Sequence, residues 1–203
     1  MRVGVIGGTF DPIHVGHLIM AEGARDVLDL QRVVFVPAGQ PPHKRSRRIS
    51  PAVHRLAMAR LAIAGNACFT TSRVDIDREG PSYTVDTIRL LQEAWGPDVR
   101  IFFLIGGDSL AELPTWHQPE RLIEICQVVA VPRPGSEPDL DALNDKIPGA
   151  SERVQILHLP LVDLSATEIR DRVMDHRSIR YLVPDTVEQY IYRHGLYREQ
   201  AAR

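Results

Sequence analysis

The feature that most restricts the fold is an alternation between two residue periodicities. Short runs rich in Val, Ile and Phe recur as RVGVI (2–6), RVVFVP (32–37), CFTTSRV (68–74), VRIFFLI (99–105), CQVVAV (126–131) and RVQILHL (153–159). Runs that stay apolar, without alternating polar positions, belong to strands buried on both faces. Between most of them apolar residues recur at helical spacing, over 16–28, 51–64, 83–95 and, more briefly, 119–125. Such strands joined by helices predict a parallel sheet with right-handed crossovers, a Rossmann-like, doubly wound α/β fold with strand order 3-2-1-4-5. Two C-terminal helices, beginning near Ser165 and Pro184, follow linkers too short for independence. They are expected to pack on the sheet, making residues 1–203 a single domain, since this length suffices for one core. Ser50 before Pro51 reads as a helix N-cap and first-turn pair. Residues 132–145, headed by PRPGSEPD, and 38–50 read as long surface loops, and no internal repeat is present.

In a doubly wound sheet, ligands bind beyond the carboxyl ends of the strands, where successive crossovers leave toward opposite faces. Two glycine-bearing turns fall there: Gly7-Gly8-Thr9 after the first strand and Gly106-Gly107-Asp108 after the fourth. Glycine pairs let backbone amides approach an anion closely, although either pair alone is equally an ordinary tight turn. The first turn continues as TFDPIHVGHL, which puts His14 and His17 on one side of an expected helix start. Neither GxxxxGK[ST] nor GxGxxG occurs, so phosphate binding falls to other groups. Paired imidazoles at a helix N-terminus suit that task, donating to phosphate oxygens as charge develops during phosphoryl transfer. Two histidines with no evident third ligand make an incomplete zinc site, so no protein-held metal is expected. Near the C-terminus, LSATEIRDRV places Ser165 as an N-cap with Glu168 three residues on, a capping box. The same helix start offers amides, the Ser165 and Thr167 hydroxyls and, one turn on, Arg170 to a phosphate.

GGTFDPIHVGHL and LSATEIR together resemble the HxGH and ISSTxxR motifs of the nucleotidyltransferase superfamily, with Leu164 and Ala166 departing from the commonest second motif. Within it, PPHK (41–44), GPSYTVDT (80–87), GGDSL (106–110), PTWH (114–117), PRPG (132–135) and the ending HGLY (194–197) resemble the nicotinate-nucleotide adenylyltransferase family. The resemblance implies that Gly7, Gly8, Thr9, Phe10, Ser165, Thr167 and Asp108 line an ATP site. It implies a catalytic set of His14, His17 and Arg170, with the histidines acting on the α-phosphate. Lys44, Ser82, Tyr83, Thr84, Trp116 and Arg133 would serve nicotinate mononucleotide, Lys44 and Arg133 through its phosphate and Trp116 by stacking on the pyridine ring. Mg2+ would be held mainly by substrate phosphates and water. His117 stands where many relatives carry tyrosine.

Other classes fit less well. GDSL (107–110) matches an esterase signature, but Asp11 and His14 precede Ser109 where that family has its acid and histidine after the serine. HKRSRR (43–48) suggests nucleic-acid binding, yet the formal net charge is −2, and such a run equally suits a flap over substrate phosphates. A transferase acting on phosphopantetheine or another pyridine mononucleotide remains the alternative enzyme. Cys68 and Cys126 form no CxxC pair and read as buried thiols. No long apolar segment or charged leader precedes the first strand, so a cytoplasmic protein without membrane partners is expected.

Overall fold

A computed structural model describes residues 1–42, 49–132, 138–160 and 162–198. Among these, six parallel strands form one sheet: β1 (Arg2–Gly8), β2 (Arg32–Pro37), β3 (Phe69–Thr71), β4 (Arg100–Gly106), β5 (Gln127–Val131) and β6 (Val154–Ile156). Their spatial order is β3-β2-β1-β4-β5-β6. The expected order is therefore observed, with β6 added beside β5. Val5 stands opposite both Val34 and Phe103 in the β1 registers, so β1 lies at the centre of the sheet.

The two-residue period of the strands divides the core. Val3, Val5, Ile101 and Phe103 face one side and pack with α4 (Thr84–Trp95) and α6 (Pro119–Ile125). Ile6, Phe35, Phe102 and Leu104 face the other, against α1 (Val15–Val27), α2 (Ala52–Ile63), α9 (Ala166–Met174) and α10 (Asp185–Arg193). Both C-terminal helices contribute to this second cluster through Ile169, Val173, Val187 and Ile191. The crossovers carrying α1 and α2 lie on one face and the one carrying α4 on the other. The switch falls between β1 and β4, whose carboxyl ends hold the two glycine pairs.

Several local expectations change. Gly7 and Gly8 are the last residues of β1, paired with Val36 and Pro37, and Gly106 is the last of β4. β3 is shorter than its apolar run because the chain turns into α3 (Val74–Asp77), where the Ile76 and Asp77 amides donate to Arg73 O. Pro51, not Ser50, caps α2. The Ser50 amide donates to Asp11 Oδ2 instead, and its carbonyl accepts from Arg55 Nε. The expected loop over 132–145 contains the start of α7 (Leu140–Lys146), capped by Asp139 and anchored by buried Leu143 and Ile147. The proline-rich composition at the head of that segment hid the helix. Among the described residues a six-residue α5 (Gly107–Glu112), a 3-10 turn (Leu113–Thr115) and a four-residue α8 (Ala150–Arg153) complete the helices. Lys44, with the basic run 43–48, and Arg133 lie outside the described residues.

Candidate active site

His14 is the N-cap of α1, at the carboxyl end of β1. Its backbone amide donates to Nδ1 of His17 at 3.2 Å, so the third helical residue reaches back over the cap as in a capping box. The bond fixes the tautomer. With Nδ1 accepting, a neutral His17 carries its proton on Nε2 and presents that nitrogen as a donor. The two imidazoles lie 3.8 Å apart between centroids, and Phe10 meets the His17 ring edge-on at 5.1 Å. His14 is 8% exposed, and burial lowers its pKa to about 4, so it is neutral at pH 7. Its Nδ1 is buried with no hydrogen-bond partner. An unpaired buried polar atom is unfavourable.

α9 brings the second motif to the same strand end. The Ser165 hydroxyl accepts from the Glu168 amide at 3.1 Å, whereas the Glu168 carboxylate pairs with Arg172 and does not return to the cap. Arg170 crosses to the β1 turn: Nη1 donates to Asp11 O at 2.7 Å and Nη2 to Thr167 Oγ1 at 3.0 Å. Thus Arg170, bonded to Thr167, is tied to the turn that leads into His14 and His17, although most of the chain separates the two motifs. Asp108 lies exposed in the first turn of α5, beyond the neighbouring end of β4.

The residues assigned to the pyridine form a second group. Tyr83 caps α4 and stacks on His117, with centroids 4.3 Å apart and planes at 30°. Trp116, half-buried, meets Phe103 edge-on at 6.2 Å. Thr84 opens α4. Ser82 is buried: its hydroxyl accepts from the Gln40 amide at 3.1 Å, and its own amide donates to Gln40 O at 2.9 Å. Behind this clasp, buried Asp75 accepts from Thr87 Oγ1 at 2.7 Å and from Arg78 Nε at 3.0 Å. The Thr87 amide and Arg78 Nη2 donate to the Tyr83 carbonyl, which fixes the start of α4.

A family model described as Cytidylyltransferase-like matches residues 5–172. A probable nicotinate-nucleotide adenylyltransferase from Thermomicrobium roseum is 52% identical over 97% of this chain and 92% of its own length. A protein of the same description from Dehalococcoides mccartyi is 43% identical over 98% of both. The chain belongs to the nicotinate-nucleotide adenylyltransferase family. In fold, this member is similar to a solved Plasmodium falciparum nicotinic acid mononucleotide adenylyltransferase complexed with NaAD, with TM-score 0.78 and 17% identity over 97% of each chain.

Sequence reasoning missed a residue that ties these two groups of candidate residues together. Arg55, on α2, is 1% exposed. Its Nη1 donates to Thr9 O at 2.8 Å, Nη2 to Gly39 O at 3.3 Å and Nε to Ser50 O at 2.9 Å. Burial lowers its pKa, and the nearby Asp11 carboxylate opposes that shift. The usable signal was positional: Arg55 precedes buried Met58 and Ala59 by three and four residues, which puts a cation on the apolar face.

Proposed function

We propose that this chain transfers the adenylyl group of ATP to nicotinate mononucleotide, releasing pyrophosphate and forming nicotinate adenine dinucleotide for NAD biosynthesis. The observation that carries this reading is the bond from Arg170 to the Asp11 carbonyl, which ties the second motif to the turn leading into His14 and His17. The mononucleotide phosphate attacks the α-phosphorus in line, a new P–O bond forms, and the bond to the bridging oxygen of pyrophosphate breaks. A phosphate monoester is largely dianionic at pH 7, so the nucleophile needs no general base.

The protein's part is positioning and charge stabilisation. His17 donates from Nε2 to an α-phosphate oxygen, a role supported by its fixed tautomer. His14 enters neutral, and nearby phosphate charge raises its proton affinity as ATP docks. Gly7, Gly8, Thr9, Phe10, Ser165 and Thr167 line the nucleotide, Arg170 clamps its phosphates, and Asp108 serves ribose or metal-linked contacts. Trp116, Tyr83 and Thr84 receive the pyridine, and Ser82 holds that segment to Gln40. Lys44 and Arg133 neutralise phosphate.

Among the described residues no cluster of three or more His, Cys, Asp or Glu side chains is placed to hold a metal ion. A divalent cation carried by the nucleotide requires no such cluster, and we assign Mg2+, which would neutralise triphosphate charge and favour pyrophosphate departure. Among the described residues no helix is long and apolar enough to cross a membrane, and we assign the chain to the cytoplasm as one domain over 1–203.

The test incubates the protein with ATP, Mg2+ and, separately, nicotinate mononucleotide, nicotinamide mononucleotide or phosphopantetheine, measuring pyrophosphate and the coupled product. Dinucleotide is expected chiefly from the nicotinate acceptor. Turnover of phosphopantetheine alone would replace this reading.

A further inference from the structure

Tyr197 follows the last helix, yet its hydroxyl donates to Oδ1 of Asp11 at 2.7 Å, across 186 positions of sequence. Asp11 is 4% exposed and receives three elements at once. The Ser50 amide ahead of α2 donates to Oδ2 at 3.1 Å, and Arg170 of α9 donates to the Asp11 carbonyl at 2.7 Å. Delivery of Tyr197 is built into the end of α10. Gly195 takes φ +59°, the Leu196 amide donates to Ile191 O, and the Gly195 amide donates to Tyr192 O. This Schellman turn reverses the chain so that Leu196 packs on the core and Tyr197 enters the site. Burial, and then the Asp11 carboxylate, raise the pKa of the hydroxyl, which therefore stays a donor.

A buried carboxylate deprived of a donor must turn or admit water to recover one. The Asp11 carboxylate is tethered at both oxygens, Oδ1 by the Tyr197 hydroxyl and Oδ2 by the Ser50 amide, on the residue whose carbonyl seats Arg170. Disturbance of the side chain is thereby transmitted to the guanidinium.

We propose that Tyr197 is a positioning residue for adenylyl transfer: through Asp11, its hydroxyl holds the carbonyl that aims Arg170 at the ATP phosphates. The proposal rests on the assignment of Arg170 to ATP. Tyr197 itself touches no reacting atom.

A double-mutant cycle on the full chain tests this, reading kcat and the KM of each substrate, with circular dichroism and thermal melting for each variant. Tyr197→Phe is expected to raise the ATP KM about tenfold, leaving that of nicotinate mononucleotide unchanged. In the Arg170→Ala background the same substitution is expected to add nothing to the ATP KM. A tyrosine that only stabilised the fold would lower the melting temperature and active fraction equally in both backgrounds, with both KM values unmoved, and that result overturns the proposal. Additive effects of the two substitutions on the ATP KM also overturn it. If Arg170→Ala leaves ATP kinetics unchanged, the premise fails and the proposal with it, a result distinct from the previous two. Asp11→Asn, run through the same cycle, decides the matter if Tyr197→Phe does not fold: non-additivity with Arg170→Ala supports the proposal and additivity refutes it.

Discussion

At the scale of single residues, the histidine pair separates two roles. His17, with its tautomer set by the His14 amide, offers a preorganised donor where the α-phosphate gathers charge. His17→Ala is expected to lower turnover by about 10²–10³-fold while changing the ATP dissociation constant little. Steady-state kinetics and calorimetric ATP titration check this, with circular dichroism to confirm folding; wild-type turnover in a folded variant would refute the role. His14 makes a pH prediction. Its folded pKa of about 4 lies below the ordinary 6.5, so the unfolded chain takes up a proton first as pH falls. The stability associated with neutral His14 is present above pH 6.5 and lost as pH drops toward 4. From pH 7 to pH 5 this amounts to about 2 kcal/mol. Urea denaturation should show that loss in the wild type and a smaller one in His14→Gln.

At the scale of elements, the loop after β2 owes its path to one close approach. A Cβ on Gly39 would lie 2.0 Å from the Asp75 carbonyl oxygen, a backbone atom of α3 that cannot yield as a side-chain tip does. Glycine here lets the loop lie against α3 while Gln40 exchanges hydrogen bonds with Ser82. Gly39→Ala should therefore push the loop away, breaking the Ser82 clasp and loosening the start of α4. The expected result is a rise of about tenfold in the KM for nicotinate mononucleotide, with a smaller change for ATP. Equal effects on both would show that the loop serves the fold alone. The expectation of a loop over 38–50 identified a connection without identifying what it clasps, because turn composition carries no information about a distant carbonyl.

At the scale of the whole molecule, Arg55 couples the parts. One guanidinium donates to the β1 turn, the β2 loop and the entry to α2, with Asp11 as a nearby charge. Arg55→Met would leave three carbonyls and the buried Asp11 without that cation. A loss of about 3–5 kcal/mol is expected from chemical denaturation, on the scale for breaking a buried charged interaction. A change under 1 kcal/mol would show that water replaces the guanidinium. The amino-acid sequence alone determined the layered parallel sheet, the crossover switch beside β1, the histidine pair at a helix start and the Ser165 cap. Each rests on short apolar runs, helical spacing, the handedness of crossovers or groups within one helical turn. Tertiary structure alone decided that Tyr197 meets Asp11, that Gly39 meets Asp75 and which carbonyls Arg55 serves. Such pairings depend on where separate elements come to rest against one another, and a buried polar group accepts whichever distant partner the packing brings within hydrogen-bond reach.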